Sequence, residues 1–136
     1  MQMVQSSPII GVGLNNYLTV AYQYEPYGVK FPGFPAHNFY LLTWAETGTL
    51  GLLATLAGIL ALLGCATRLA QARDPFFASL GVGLAASYVC FMVEETVAYT
   101  LRHSQGHIIF ALLAGVTIAA WRLAYDARAP GREPNP

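Results

Sequence analysis

The chain has 136 residues, of which 55% are apolar and 10% charged, and seven basic and seven acidic side chains give a formal net charge of zero. Soluble domains carry roughly 25% charged residues, so a chain this poor in charge cannot cover a water-facing surface. A nucleic-acid binder needs a basic excess, and a disordered acidic tail needs a polar composition; neither is present. Together with a mean hydropathy of +0.46, the composition predicts a membrane protein.

Residues 1–38 contain no apolar run long enough to span a bilayer, and prolines and glycines break any long helix there. We predict a loop at the membrane surface with one short helix near Asn15–Tyr24, capped by Asn15 or Asn16. Gly11-Val12-Gly13 precedes that helix as a glycine-rich turn. It is not a dinucleotide fingerprint, because position 16 is asparagine and no βαβ unit follows.

Nine of the seventeen aromatic residues fall between positions 17 and 44. They are Tyr17, Tyr22, Tyr24, Tyr27, Phe31, Phe34, Phe39, Tyr40 and Trp44. One interpretation is an interfacial aromatic belt, since such rings collect at membrane surfaces. Another is a stacking platform for sugars or for a lipid-linked substrate, since ring faces pack on C–H surface while phenol hydroxyls form hydrogen bonds. Both functions are compatible.

His37-Asn38 precedes a helix that is predicted to run straight into the membrane. Asn38 suits the N-cap, so free backbone N–H groups and the positive end of the helix dipole would lie beside His37 and could hold an anion such as phosphate. Glu46 is half a turn out of phase with His37 and does not form an acid–base pair with it within this helix. Gly51 and Gly58 share a face and are predicted to allow close approach of a neighbouring helix.

The spacing of charges defines three apolar stretches. There are 21 uncharged residues between Glu46 and Arg68, 19 between Asp74 and Glu94, and 19 without Asp, Glu, Lys or Arg between Arg102 and Arg122. A bilayer needs about 20 apolar residues of helix. We predict an all-α polytopic fold with a loop over residues 1–38 and a transmembrane region over 39–136, whose three spans cover residues 47–67, 75–93 and 108–125.

Small residues and cysteines occur within these spans. Gly81 and Ala85, and Gly83 and Ser87, repeat at the four-residue spacing that marks close helix contact in lipid. The two cysteines, Cys65 and Cys90, lie in apolar runs and are interpreted as small hydrophobes.

Five of the seven basic residues fall on one side of this arrangement, leaving Lys30 and Arg102 on the other; the five are Arg68, Arg73, Arg122, Arg128 and Arg132. The positive-inside rule then makes the C-terminal tail cytoplasmic and puts residues 1–38 and 94–107 on the outer face. Met1–Ser7 has neither the basic start nor the apolar stretch of a signal peptide. Either this short, weakly charged N-terminal segment crosses the membrane unaided, or the chain is the C-terminal piece of a longer polytopic protein, and we expect the second.

The loop over residues 94–107 offers two interpretations. His103 and His107 would share one face of a helix and, with Glu94 and Glu95, could bind zinc. Alternatively these polar groups cap the second and third spans in the headgroup region, and Arg102 pairs with the two glutamates or helps to shape an acceptor cleft.

Residues 8–60 resemble the motif-bearing C-terminal part of the O-antigen ligase and O-antigen polymerase family of bacterial membrane glycosyltransferases. That family's ligase signature is His, then Asn, Ser or Gln, then nine residues, then Gly-x-x-Gly. This chain has His37-Asn38, nine residues, and Gly48-Thr49-Leu50-Gly51. The segment Pro8–Tyr17 resembles the stretch that opens the family's large periplasmic loop. Leu52-Leu53 replaces the Thr-Thr that often follows in ligases, which leaves ligase and polymerase as alternatives.

The resemblance implies part of a GT-C-type glycosyltransferase in the bacterial inner membrane. The donor would be a glycan on undecaprenyl diphosphate, and the acceptor a hydroxyl of lipid A core, of a second lipid-linked glycan or of a protein. No cofactor, nucleotide sugar, metal or nucleic acid is expected. We predict His37 as the catalytic residue, and as substrate-binding residues Asn15, Asn16, Tyr17, Lys30, Asn38, Tyr40 and Arg102.

His37 could accept a proton from the attacking hydroxyl or donate a hydrogen bond to the diphosphate, and the sequence does not choose between these roles. The family's diphosphate-binding arginines come from earlier loops that are absent here. We therefore expect activity of an intact parent, completed by upstream helices or a partner subunit, and none of these 136 residues alone. The alternative is a non-enzymatic membrane module, either a transporter-like relative or an assembly subunit.

Overall fold

The computed structural model describes residues 2–24 and 36–126. This part of the chain is helical, as predicted, and contains five α-helices and one 3₁₀ turn, Thr100–Arg102. The helices are α1 (Gln2–Ser6), α2 (Tyr17–Ala21), α3 (Phe39–Leu69), α4 (Pro75–Glu94) and α5 (Ser104–Asp126).

Within residues 2–24 and 36–126, three helices are long and apolar enough to cross a membrane, as predicted: α3, α4 and α5. Their bounds differ from the predicted ones. Helix α3 begins eight residues before the predicted 47, and α5 begins four residues before the predicted 108. The reason is that a charge-free interval measures the hydrocarbon thickness, whereas a helix continues into the polar layer as long as its backbone groups find partners.

Helix α3 is not continuous, which corrects the prediction of one straight helix from Asn38 into the membrane. Gly48 has φ 67° and ψ −170°, a conformation open essentially to glycine, and it interrupts the helix. We call residues 39–47 the short arm and residues 49–69 the long arm. The long arm alone would extend about 32 Å at 1.5 Å per residue, enough to cross a hydrocarbon layer about 30 Å thick.

The three long helices pack around a small core of Ala66, Leu69, Leu84, Tyr88 and Ala120. Gly81 of α4 lies directly against the backbone of Leu69 and Ala70, so its predicted role in close helix contact is confirmed. Within this core the Tyr88 hydroxyl bonds the Thr117 hydroxyl of α5 at 2.9 Å.

Other small residues do not mediate contact within the described part of the chain. A Cβ added at Gly58 or Gly83 would meet nothing there within 4 Å, and the three atoms nearest to one at Gly51 belong to Thr47 of the same helix. No helix of the described chain approaches Gly58 closely, so the close approach at Gly51 and Gly58 stays a prediction for a helix outside these residues. Large apolar side chains also face outward along all three helices, among them Leu50, Leu53, Val82, Val89, Ile109, Leu112 and Val116.

The bundle has two distinct ends. At one end, which we call the His37 end, the start of α3 meets the end of α4, since the Phe39 N–H donates to the carbonyls of Glu95 at 3.0 Å and Ala98 at 2.8 Å. At the opposite end the Tyr125 hydroxyl donates to the Arg68 carbonyl at 2.8 Å. The exposed apolar surface between these ends and the three long helices define a membrane protein.

Candidate functional site

The break in α3 is covered by the N-terminal segment, residues 7–17. The N–H groups of Val12 and Gly13 donate to the carbonyls of Ala45 and Glu46, at 3.0 and 2.9 Å. Beyond the break, the Thr49 N–H donates to the Pro8 carbonyl at 2.9 Å. These bonds satisfy backbone groups that the break frees from the helix, which is how irregular backbone is tolerated at membrane depth.

Two glycines make this close approach possible. Gly11 has φ 71°, and a Cβ there would overlap the backbone of Glu46. A Cβ at Gly48 would overlap the Ile9 carbonyl. Gly11 and Gly48 are therefore needed because two stretches of backbone touch at these positions. Their presence is explained without a bound phosphate.

Glu46 lies at the centre of the site and is 1% exposed. Its carboxylate accepts from the Asn15 N–H at 3.0 Å and from the Tyr17 N–H at 3.2 Å. Arg102 donates to both carboxylate oxygens, at 2.6 and 3.1 Å, and also to the Asn15 side-chain oxygen at 3.2 Å. Glu46 thus joins α3, the N-terminal segment and the 3₁₀ turn through a two-pronged ion pair.

The pairing of Arg102 corrects the sequence prediction. The sequence predicts pairing with Glu94 or Glu95, the neighbours of Arg102 in the loop over residues 94–107, but its partner in the described chain is Glu46, 56 residues away. Glu94 instead accepts from the Thr100 hydroxyl at 2.8 Å. The break in α3 places Glu46 next to the 3₁₀ turn that carries Arg102. No pattern of charges in the sequence indicates such a break, so this pairing could not be predicted from it.

A polar cavity of about 390 Å³ opens beside this ion pair. Its lining includes Asn15, Tyr17, Thr19, Glu46, Tyr99, Arg102 and His103. Three predicted substrate-binding residues, Asn15, Tyr17 and Arg102, are therefore brought together on one wall. The volume falls within the range of small-ligand pockets, about 300–1,000 Å³.

A second, apolar groove of about 430 Å³ lies on the other side of Arg102. It runs along the long arm between α3 and α5, and its apolar lining includes Leu14, Phe39, Ala54, Ile59, Leu62, Leu101 and Phe110. Arg102 and His107 are the basic side chains on its wall. Arg102 lines both cavities, so a polar compartment and an apolar one meet at this residue.

His37 is exposed and lines neither cavity. Its ring packs edge-on against Tyr99, with centroids 5.2 Å apart, and Tyr99 in turn contacts His103 at 5.1 Å. Tyr99 and His103 belong to the polar cavity. His37 therefore lies one aromatic ring away from that cavity, at the same end of the bundle.

The start of α3 is less suited to an anion than predicted. Asn38 is the N-cap, as predicted, and its side-chain oxygen accepts from the Leu41 N–H at 2.9 Å. The Phe39 N–H is bonded to the carbonyls of Glu95 and Ala98. Because backbone and cap oxygens already occupy these donors, an anion would have to displace them.

Several predicted substrate-binding residues have structural partners. The Asn38 amide donates to the Thr96 carbonyl at 2.7 Å, and the Tyr40 hydroxyl to the Met92 carbonyl at 2.9 Å. Asn16 takes the N-cap position of α2 without a side-chain cap, and its amide donates to the Val12 carbonyl at 3.0 Å. Asn16, Asn38 and Tyr40 therefore organise the walls of the site and do not line its cavities.

Some predictions fall on residues outside the described ranges. These are Lys30, the aromatic residues Tyr27, Phe31 and Phe34, and the tail arginines Arg128 and Arg132. The predicted zinc site at His103 and His107 lies within the described ranges. Among residues 2–24 and 36–126, no group of three or more His, Cys, Asp or Glu side chains is placed to hold a metal ion.

Glu95 is a buried acid for which the sequence analysis offers zinc binding, capping of the spans or pairing with Arg102. It follows the last residue of α4 and is 1% exposed, and its carboxyl accepts from the Leu101 N–H at 2.9 Å. Burial raises the pKa of this carboxyl above its usual value, the Leu101 N–H opposes that rise, and the nearby Glu94 charge adds to it. The other carboxyl oxygen has no hydrogen-bond partner among the described residues.

Glu46 and Tyr99 are site residues that the sequence prediction misses, whereas Glu95 and His103 are named there as zinc ligands or as caps of the spans. A signal for Glu46 is present, since a charge two residues before Gly48, at the edge of a long apolar stretch, needs a buried partner. The position of Tyr99 depends on how the turn folds back over α3.

The fold and the site define a helical membrane protein with a polar cavity and an apolar groove that share one arginine. Comparisons with models of known protein families, with curated proteins and with solved structures find no match for this chain.

Proposed function

We propose that this chain is the acceptor-side part of a bacterial inner-membrane glycosyltransferase of the O-antigen ligase or polymerase type. The proposed reaction transfers a glycan from an undecaprenyl-diphosphate donor to an acceptor hydroxyl. In this proposal the His37 end faces the periplasm and the C-terminal tail faces the cytoplasm. The observation that carries the proposal is the junction of the polar cavity and the apolar groove at Arg102.

A lipid-linked sugar has the same division of chemistry as this junction. Its prenyl chain suits a groove lined by aliphatic and phenyl side chains and open to the bilayer. Its charged diphosphate suits a guanidinium, and its sugar suits a cavity lined by amide, hydroxyl and imidazole groups. Two of the five Arg102 N–H donors remain after its three hydrogen bonds, so the guanidinium can bind a phosphate oxygen while it stays paired with Glu46.

The positions of Arg102 and His37 limit what each residue can do in the proposed reaction. One arginine that is already paired with a carboxylate cannot neutralise a diphosphate by itself, so further basic groups from elsewhere in an intact protein are part of the proposal. His37, one ring away from the polar cavity, would meet an acceptor entering from the His37 end. It would take the acceptor proton or donate a hydrogen bond to the leaving diphosphate.

The proposal is tested by changing His37 to Ala or Gln in the intact protein within its own cells. We expect both variants to lose surface-glycan attachment at unchanged protein abundance, whereas Gln105→Ala, on the exposed first turn of α5, retains it. Glycan is read from gels of extracted lipopolysaccharide and lipid-linked intermediates. Normal glycan in the His37 variants would refute the proposal.

The groove is tested separately by filling it. Gly58 lines the groove, and a Cβ added there meets nothing within 4 Å in the described chain, so Gly58→Leu places a side chain in groove space. Gly64→Leu is the matched control, because Gly64 is equally open and lines neither cavity. We expect Gly58→Leu alone to raise KM for the lipid-linked donor, and equal kinetics of the two variants would remove the groove from the proposal.

A non-enzymatic membrane module is the second candidate. It is favoured by the commitment of Arg102 to Glu46 and by the position of His37 outside both cavities. In that case the His37 variants are silent, whereas disruption of the Glu46–Arg102 pair lowers the abundance of the protein or of its complex.

A further inference from the structure

The buried carboxyl of Glu95 has no function in the proposed reaction. Its Oε1 atom accepts from the Leu101 N–H at 2.9 Å, the Thr100 backbone N–H also favours the charged carboxyl, and its Oε2 atom has no hydrogen-bond partner within residues 2–24 and 36–126. A carboxyl that is 1% exposed and only half satisfied is unusual, because buried polar atoms almost always find partners.

Glu95 connects three elements of the site. Its main chain follows α4, its carbonyl accepts from the Phe39 N–H at the start of α3, and its carboxyl holds the 3₁₀ turn at Leu101. The residue after Leu101 is Arg102, which lines both cavities. The path from the Glu95 carboxyl to the Arg102 backbone is therefore one hydrogen bond and one peptide unit long.

Besides the ion pair of Arg102 with Glu46, two further contacts hold the turn. The Thr100 hydroxyl bonds the exposed Glu94, and Gly106 of α5 packs directly against the Thr100 carbonyl. The buried bond from Leu101 to Glu95 lies between these two contacts. Because buried hydrogen bonds are protected from water, this bond contributes more to the position of the turn than the exposed one.

We propose that Glu95 is a positioning residue that holds the 3₁₀ turn, and with it Arg102, opposite Glu46, and that it does so as a neutral carboxylic acid. In this form Oε1 is the acceptor for Leu101 and the proton resides on Oε2. An unpaired neutral oxygen costs far less to bury than an unpaired negative charge, so the half-satisfied geometry fits the protonated form.

The charges around Glu95 act in both directions, and burial outweighs each of them. Glu94 on α4 is a like charge and opposes ionisation, while His103 beyond the turn favours ionisation when it is protonated. Tyr40 of α3 also faces Glu95, and its hydroxyl donates to the Met92 carbonyl. The guanidinium of Arg102 is directed to Glu46. Burial is the largest effect on the Glu95 pKa, and it raises it.

The protonation state is tested on the purified protein in lipid nanodiscs, without any substrate. Infrared difference spectra at neutral pH between wild type and Glu95→Gln should contain the carbonyl band of a protonated carboxylic acid. The control, Glu94→Gln, should leave that band in place, because Glu94 is the exposed neighbour. A wild-type spectrum in which Glu95 contributes only carboxylate bands would overturn the neutral form.

The pH dependence of unfolding gives a second measurement of the same property. A carboxyl whose pKa is raised on folding contributes stability that is complete below the unfolded pKa, about 4.3, and is lost as pH rises through the folded pKa. Wild type should therefore lose stability over that interval, and Glu95→Gln should lack this loss. Superimposable pH profiles of the two proteins would contradict the proposal.

The positioning role is tested by the reactivity of Arg102 toward phenylglyoxal, measured by mass spectrometry, with exposed Arg73 as the internal standard. Glu95→Ala should raise Arg102 reactivity about tenfold, since a lost buried hydrogen bond is worth about 1.4 kcal/mol, which is tenfold. Glu95→Gln keeps an oxygen for Leu101 and should restore wild-type protection.

Equal reactivity of Arg102 in all three proteins would overturn the positioning role. Failure of the Gln variant to restore protection would do the same. If Glu95→Ala does not fold, Arg102 reactivity in Glu95→Gln relative to wild type still tests positioning, and the spectrum and pH profile of that variant test the neutral form. None of these measurements depends on glycan transfer, so failure of the proposed function and failure of this role are distinguishable.

Discussion

Removal of either partner from the Glu46–Arg102 pair should destabilise the protein strongly. Glu46 is buried and accepts four hydrogen bonds, two from Arg102 and one each from the N–H groups of Asn15 and Tyr17. Glu46→Ala therefore releases the N-terminal segment as well as the guanidinium. Arg102→Ala leaves a buried carboxylate with two backbone donors.

The expected magnitude follows from the exposure of the two side chains. Breaking a fully buried pair by removing one partner costs roughly 3–5 kcal/mol, whereas exposed pairs are worth about 0–1 kcal/mol. The Arg102 side chain is 22% exposed and Glu46 is 1% exposed, so the pair lies nearer the buried limit. We expect each single variant to lose about 3 kcal/mol and the double variant to lose less than the sum, with a coupling of about 2 kcal/mol.

The assay is a double-mutant cycle of unfolding free energies in mixed detergent micelles. Trp44 is a convenient reporter, because its indole N–H donates to the Thr49 hydroxyl across the break at Gly48. The cycle is run in a Trp121→Phe background, so that Trp44 is the remaining tryptophan. Gln105→Ala, which is exposed near the same end of the bundle, is the control for a polar deletion.

Additive losses, with a coupling below about 0.5 kcal/mol, would refute the assigned pair, because residues in direct contact do not behave independently. A Glu46→Ala variant as stable as wild type would further show that the N-terminal segment is held by other bonds.

Three further predictions concern packing, all measured as unfolding free energies. Gly48→Ala should lower the free energy of unfolding by about 1–3 kcal/mol, because Gly48 has a φ of 67° and an added Cβ would overlap Ile9. Gly64→Ala should be neutral or stabilising, and equal effects of the two substitutions would contradict the break in α3. Gly81→Ala should cost about 1–3 kcal/mol through its contact with the Leu69 backbone, and an unchanged stability would exclude that contact. Tyr88→Phe should cost only about 0.6 kcal/mol, typical of an interhelical hydrogen bond in lipid, and a loss above 2 kcal/mol would be inconsistent with that role.

Charge spacing and caps, both readable from the sequence alone, determined the membrane architecture. The three charge-free intervals located α3, α4 and α5, because hydrocarbon excludes charged side chains whatever their neighbours are. Asn38 was identifiable as the N-cap of α3, since capping depends on residues three positions apart. Both are local properties of the chain.

The site was decided by tertiary structure. The ion pair joins residues 56 positions apart, and it exists because Gly48 breaks α3 and the N-terminal segment fills the break. Burial of Glu95 likewise requires the turn to fold back over the end of α4. A sequence shows which polar or charged groups need a partner in an apolar environment. The identity of each partner is fixed by long-range packing, because any suitable donor that the fold brings within reach can offset the cost of burying the group.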